Sequence, residues 1–220
     1  VHFFIHGGVF NRPVARIHAV ENVSLSIRRG STLALVGESG CGKSTIGKAM
    51  MGLIPCSGQI RFNGESITGL SRLNMKRVLR NIQMIFQDPG ASLDSRMKVG
   101  DQVAEPMVVH KIARGSELKD RVAYLFQRVG LSADSIERYP HEFSGGQRQR
   151  ICIARALSLS PKLIIADECV SALDVSIQAQ VLELLKELQQ DDGIAYLFIS
   201  HDMAVIEQMA DDVAVMQLGQ

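Results

Sequence analysis

The sequence predicts an α/β fold with a mainly parallel sheet, interrupted by an inserted helical run. Three observations predict it. Short apolar runs such as Leu33–Val36, Leu163–Ala166 and Ala195–Ile199 have the unbroken hydrophobicity of strands buried on both faces. Helical periodicity alternates with them, and Ile177, Val181, Leu184, Leu185 and Leu188 mark one amphipathic face. Between the first apolar run and a helical segment at Ile46–Leu53 lies a glycine-rich stretch, Gly37-Glu38-Ser39-Gly40-Cys41-Gly42-Lys43-Ser44, with Thr45 behind it. Strand and helix alternating in this way build a parallel sheet.

In chain order, residues 1–36 alternate apolar and polar residues in short runs. Val23, Leu25 and Ile27 have the period of a half-buried strand, and Arg29-Gly30 turns the chain into the strand at Leu33. Beyond the first helix, Gly58–Gly64 reads as a strand bounded by turns, 72–80 as a basic helix, and Ile82–Phe86 as a strand ending at Gln87-Asp88-Pro89. From Gly100 to Tyr139 the pattern is helical, with Val122, Leu125, Phe126 and Val129 on one face and Gly130 as a stop. A helical subdomain over about 90–160 is therefore expected, inserted into the α/β core of a single domain spanning 1–220. Gly145–Ser158 is a third helical stretch, Leu163–Ala166 reads as the interior of the sheet, and Val213–Met216 as a last strand. The chain shows no internal repeat and no low-complexity segment.

A length of 220 residues suits one large domain, or one domain with an insertion. Hydrophobic residues at 46% and charged residues at 21% describe an ordinary globular chain. The formal net charge of +1 provides no global attraction to nucleic acid or anionic lipid, so any such contact requires a local patch. Cys41, Cys56, Cys152 and Cys169 show neither C-x-x-C pairing nor metal-ligand spacing, and a disulfide at Cys41 would obstruct the glycine-rich loop. Reduced thiols in a cytosolic compartment are expected. No apolar run approaches the roughly 18 to 20 residues of a bilayer span. Val1-His2-Phe3-Phe4 lacks a signal-peptide layout, and both ends are expected to be clipped.

The chemistry starts at the glycine-rich stretch, which fits the phosphate-binding pattern G-x-x-x-x-G-K-[ST]. Glycines let several backbone N–H groups point into one concavity, and the helix opening near Lys43 adds its positive end. Lys43 supplies a charge for β- and γ-phosphates, and the Ser44 hydroxyl is a hard ligand for Mg²⁺. Asp167-Glu168 ends a buried strand: Asp167 is placed for the metal shell and Glu168 for polarising a water. His201 ends another, in Ser200-His201-Asp202, where it would sense the γ-phosphate or hold that water. Ser144-Gly145-Gly146-Gln147 opens a helix and repeats the anion-binding physics about a hundred residues later. Two such starts in one chain suggest that two chains share each nucleotide.

These motifs together resemble the ATP-binding-cassette ATPases. The glycine-rich stretch corresponds to the P-loop, Gln87 to the Q-loop glutamine and Ser144-Gly145-Gly146-Gln147 to the signature. Asp167-Glu168 corresponds to the Walker B pair, Ser171-Ala172-Leu173-Asp174 to the D-loop and His201 to the switch histidine. The resemblance spans nearly the whole chain. It implies a P-loop NTPase core with an N-terminal antiparallel β subdomain, bound ATP and Mg²⁺, and a head-to-tail dimer with a second ATPase domain. Ser44, Gln87 and Asp167 would serve the metal, Glu168, His201 and Gln87 the reaction, and Asp174 the dimer interface. An aromatic stacking on adenine is implied near the first strand, with Phe3 or Phe4 in place.

Phe86–Asp94, Val99-Gly100-Asp101, Glu105-Pro106, Arg138–Arg150 and Ala195–Asp202 narrow the resemblance to the peptide-importer branch, which covers oligopeptide, dipeptide, nickel and glutathione uptake in prokaryotes. The implied setting is the cytoplasmic face of the inner membrane. Transmembrane permease subunits would be direct partners and a solute-binding protein an indirect one. The segment after Gln87 carries turn-formers and a short apolar patch, as a surface docking a permease helix would. Cys169 stands where relatives have Pro or Ala, and a small buried thiol fits there. A role on DNA or ribosomes is disfavoured: residues 88–143 are too few for a long coiled coil, one cassette is present, and the net charge offers nothing to nucleic acid.

Overall fold

The two strands that begin the chain pair with each other. The computed structural model describes residues 1–7 and 12–220, with the backbone alone for 2–7 and 12–18. β1 (His2–Gly7) and β2 (Arg12–His18) form an antiparallel pair. β3 (Thr32–Gly37) leads through the glycine-rich loop into α1 (Lys43–Met50). A small hairpin follows, β4 (Arg61–Phe62) and β5 (Glu65–Ser66), then α2 (Arg72–Leu79) and β6 (Ile82–Ile85). The helical section comprises α3 (Pro89–Ser92), α4 (Val99–Val109), α5 (Gly115–Arg128), 3₁₀ turns at Ala133–Glu137 and Pro140–Glu142, and α6 (Gly145–Leu157). β7 (Leu163–Asp167), α7 (Val175–Asp192), β8 (Ala195–Ile199), α8 (Met203–Met209) and β9 (Asp212–Met216) complete the chain.

β6, β7, β8, β3 and β9 lie side by side in that order, all parallel. β7 and β8 are buried along their whole length, which is why their sequences are apolar without alternation. The pleat sends successive side chains to opposite faces. Ala34, Ile164, Ala166, Tyr196 and Phe198 join one core with α4 to α8, centred on residues such as Phe126, Val103 and Ile151. Leu35, Ile165, Leu197 and Ile199 join the other, under Ile46 of α1. The helical section thus shares a continuous core with the sheet.

Two sequence readings change. Residues 23–27 form no ladder among the described residues; Val23 and Ile27 pack on the second core while Leu25 is exposed, so their alternation records one apolar side and not a paired strand. The strand expected over Gly58–Gly64 shrinks to Arg61–Phe62, because Asn63 (φ 51°) and Gly64 (φ 85°) turn the chain back onto Glu65–Ser66. An Asn-Gly pair in left-handed conformations is the preferred two-residue hairpin connection. The segment after Gln87 begins with one helical turn, capped where the Asp88 carboxylate accepts the Gly90 N–H at 2.7 Å.

α1 lies against the sheet at Gly47, where an added Cβ would stand 2.9 Å from Ile165 Cγ2. Gly47→Ala should therefore lower stability by about 1–3 kcal/mol through overpacking, outweighing the roughly 1 kcal/mol gain in helix propensity. The urea midpoint of the variant checks it, and a raised midpoint would contradict this packing.

Candidate functional site

The carboxyl ends of β3, β7 and β8 finish in register: Leu35 pairs with Ile199, and Ile199 with Asp167. In an open α/β sheet this edge is where ligands bind. β3 runs into the loop at Gly37, where a Cβ would lie 2.1 Å from the Met216 carbonyl oxygen; only glycine fits so close to β9. Gly42 has φ 107°, and its Cβ would meet the Ala19 carbonyl oxygen at 2.3 Å. The loop is thereby curled back onto α1, whose first amides have no side-chain cap. Uncapped N–H groups at a helix start form an anion cradle.

Lys43 is buried across this loop. Its ammonium donates to the carbonyls of Gly37 (2.7 Å) and Glu38 (2.8 Å), with Cys41 Sγ at 3.8 Å. Ser44, next on α1, donates to Asp167 Oδ1 at 2.7 Å. β7 does not adjoin β3, since β8 lies between them. The contact forms because α1 crosses the face of the sheet toward β7. Burial raises the Asp167 carboxyl above its ordinary value; the Ser44 hydroxyl and the charges of Lys48 and Lys43 oppose the rise, while Glu168 adds to it. Two hard oxygens in contact, one of them a buried carboxylate short of positive charge, suit a small divalent cation.

Glu168 leaves β7 in the left-handed region (φ 48°), held by its N–H to the Ile199 carbonyl at 2.9 Å. The turn aims its carboxylate away from the strand. Gln87 Nε2 donates to Glu168 Oε2 at 2.9 Å, and His201 Nδ1 lies 3.4 Å from Oε1. Two residues from the ends of β6 and β8 therefore meet on the carboxylate that follows β7. Ser200 and Asp202, which sequence reasoning left without a role, shape the histidine's turn. The Asp202 N–H bonds Ser200 Oγ at 3.1 Å, and Asp202 Oδ1 caps α8 through the Ala204 N–H at 2.9 Å. Ser-x-Asp before a helix was the available signal.

Ser144 opens α6 with a reciprocal cap: the Gln147 N–H bonds Ser144 Oγ at 3.3 Å, and the Ser144 N–H bonds Gln147 Oε1 at 3.0 Å. Among the described residues neither hydrogen-bonds the phosphate loop, Asp167, Glu168 or His201. The helix start instead rests on the 171–177 segment. A Cβ on Gly145 would stand 3.8 Å from Leu173, and one on Gly146 only 2.3 Å from Ile177. Ser171 ties that segment to Glu168, both its N–H (3.1 Å) and its hydroxyl (2.9 Å) donating to the Glu168 carbonyl. Asp174 is exposed at the start of α7, with no capping bond from its side chain. Glu38 and Ser39 are exposed on the loop and Thr45 is half-buried behind it. The side chains of Phe3 and Phe4 lie outside the described residues.

All four cysteines are free. Cys169 is buried and its thiol pushed up to about 12 by desolvation, so it packs and does not react. A cavity of about 1070 Å³ opens over the second core between 20–29 and 56–64. Among its lining residues are Ile46, Ala49 and Met50 of α1 but none of the phosphate loop, so it is separate from this site.

Residues 20–171 match the family model of the ABC transporter. Over 219 residues the chain is 56% identical to the glutathione import ATP-binding protein GsiA of Pectobacterium atrosepticum, covering 99% of this chain and 35% of that protein. It is 58% identical, with the same coverage, to GsiA of Escherichia coli O157:H7. The chain thus spans about a third of the length of the curated relatives it matches, at 35%. The dimeric ATP-binding cassette MJ0796, in a post-hydrolysis state bound to ADP and Pi, superposes with a TM-score of 0.84 at 27% identity, over 94% of this chain and 90% of that one. The cbiO1 protein of Clostridium perfringens, part of the cbiONQ transporter complex, superposes with a TM-score of 0.81 at 31% identity, over 91% of this chain and 79% of that one.

A carboxyl whose value is raised in the folded protein stabilises the fold below its unfolded value and loses that contribution as pH rises through the folded one. Asp167→Asn keeps an acceptor for Ser44 and removes the charge. In thermal unfolding without nucleotide or divalent cation, the variant should be more stable than the parent at neutral pH and equal to it at acid pH. Equal stability at both would show that burial does not strain Asp167.

Proposed function

This chain belongs to the ABC transporter family, and from that premise we propose that it binds ATP and hydrolyses it to energise import of a peptide-type solute, glutathione or a di- or oligopeptide. The observation that carries the reading is the convergence of Gln87 and His201 on Glu168, one residue beyond the Ser44–Asp167 pair. The identity to glutathione-import relatives supports the solute class.

In this reading the loop amides of 37–45 and the Lys43 ammonium receive the β- and γ-phosphates, the ammonium exchanging its carbonyl partners for phosphate oxygens. Mg²⁺ held by Ser44 and Asp167, with Gln87 in reach, would neutralise charge on those phosphates. Glu168 accepts a proton from water as the water oxygen bonds to the γ-phosphorus; the bond to the β-phosphate oxygen breaks, releasing ADP and inorganic phosphate. His201 orients the Glu168 carboxylate and that water. Ser144, Gly145, Gly146 and Gln147 serve the site of a second cassette, covering its γ-phosphate, with Asp174 across the interface. The exposure of Ser144, Gly145, Gln147 and Asp174, and the lack of hydrogen bonds from Ser144 and Gln147 to this chain's own loop among the described residues, support that division.

The permease partner and the cytoplasmic face of the inner membrane belong to the same proposal. No helix of the described residues is long and apolar enough to cross a membrane. In this reading the membrane-spanning path belongs to partner subunits, and solute choice to them and a binding protein.

Two variants of the full-length protein test the assignment. Glu168→Gln should reduce ATP turnover about 100-fold or more while ATP-bound dimer accumulates in size-exclusion chromatography. Turnover at the parent rate would rule out Glu168 as the base. Lys43→Ala should abolish measurable ATP binding in a fluorescent-nucleotide titration; an unaltered curve would rule out the phosphate-loop role.

A further inference from the structure

A second charged feature lies away from the nucleotide site. α2 presents Lys76, Arg77 and Arg80, and the chain leaving α4 presents His110 and Lys111; together they line a cup of about 670 Å³. Among the described residues no carboxylate lines it, and the four lysines and arginines enter no ion pair. The cup adjoins Asn81, ahead of β6, whereas Gln87 follows that strand. The four residues of that strand alone span about 13 Å, so the cup is no part of the phosphate site.

The plain explanation for cations here is that α2, α4 and α6 all end nearby, with carbonyls that attract positive charge. Lys76 acts in this way, its ammonium donating to the Val109 carbonyl at 3.0 Å. The magnitudes leave a surplus. Three helix ends carry about −0.5 of a charge each, roughly −1.5 in all, against four formal positive charges. His110 lies among these charges: its imidazole is held below the usual value by burial first, then by Lys76 and Arg80. The rim is also apolar, with Leu73 67% exposed and Val109 48% exposed, beside Val108. An amphiphile matches both properties.

We propose that this cup receives the phosphate headgroup of an anionic phospholipid, with Leu73 and Val109 set against the membrane surface. A free phosphate would leave the aliphatic rim without purpose. An acidic helix would need a longer trough than the stretch from Leu73 to Arg80, which spans about 10 Å of α2. With a formal net charge of +1 the chain offers an anionic leaflet no global attraction, so contact with one calls for a local patch of this kind. The inference goes beyond ATP-driven import, and headgroup binding needs no turnover, so the two are read out separately.

The full-length protein, without permease, is floated with vesicles of phosphatidylcholine alone or with roughly one-third phosphatidylglycerol. Arg77→Gln/Arg80→Gln removes two cations that make no side-chain bond and leaves Lys76 in place. The parent should bind the anionic vesicles only, and the double variant should bind them about 30-fold more weakly, with unchanged ATP turnover and melting temperature. Leu73→Ser should weaken binding without altering its dependence on salt. Equal binding of the parent to both vesicles, or equal binding of parent and double variant, would overturn the proposal. Capture of poly-glutamate without vesicle binding would overturn it in favour of an acidic protein segment. A rise in the His110 titration midpoint with inorganic phosphate, without vesicle binding, would overturn it in favour of a free anion.

Discussion

The contact between Ser44 and Asp167 is the constraint on which the site depends. Ser44 opens the helix that follows β3, and Asp167 ends β7, which β8 separates from β3, yet their oxygens lie 2.7 Å apart. That distance is available only because α1 sits close enough to the sheet for Gly47 to meet Ile165 without a Cβ between them. A helix displaced outward by one methyl group would carry Ser44 and Lys43 with it. Packing under the helix and chemistry at its start are therefore a single geometric condition. The cost is a carboxylate buried without a full counter-charge, which favours whatever cation completes it.

Glu168 transmits this geometry in the other direction. Its left-handed backbone is fixed by the bond to Ile199 on one side and by Ser171 on the other. The same 171–177 segment then supports Gly145 and Gly146 at the start of α6. The catalytic carboxylate proposed for one nucleotide and the Ser-Gly-Gly element proposed for another are thus mechanically joined within one chain. Gly146 makes the joint tight, since a Cβ there would stand 2.3 Å from Ile177. A shift of Glu168 on one side has a short, well-packed route to the other.

Much of this was legible in the sequence where chemistry restricts the residue type. Gly37, Gly42 and Lys43 are needed for a curled loop, and the strands ending at Asp167 and Ile199 are apolar because both faces are covered. What the sequence withheld depends on contacts between distant segments. The alternation of Val23, Leu25 and Ile27 reports an apolar side but not whether a neighbouring strand exists. Asn63-Gly64 has the residue types of a hairpin turn, yet the strand it returns, Glu65-Ser66, carries no apolar signal, so Gly58–Gly64 reads as one strand. That Gln87 reaches Glu168, and that the cations of α2 meet those after α4, follows from the order of β6 and β7 and the packing of helices, which no local spacing encodes.

The polar contacts at the site divide by their burial into fixed and exchangeable ones. Ser44–Asp167 and the Glu168 N–H to Ile199 sit at the sheet edge among residues such as Ile165 and Phe198, where breaking a bond without replacement costs about 1–3 kcal/mol. Gln87 to Glu168 is solvent-exposed, and His201 is largely so; water replaces such partners at a net cost nearer 1 kcal/mol. Gln87 also stands at the junction between β6, locked in the sheet, and α3, held to α6 by the Arg155 bond to the Ser92 carbonyl and by the packing around Pro89. A change in what occupies the site would therefore be felt first at Gln87 and His201, while the Ser44–Asp167 frame stays in place. Of those two, only Gln87 begins the segment that leads into the helical section, so movement there is the cheapest path by which the site and the helical surface can inform each other.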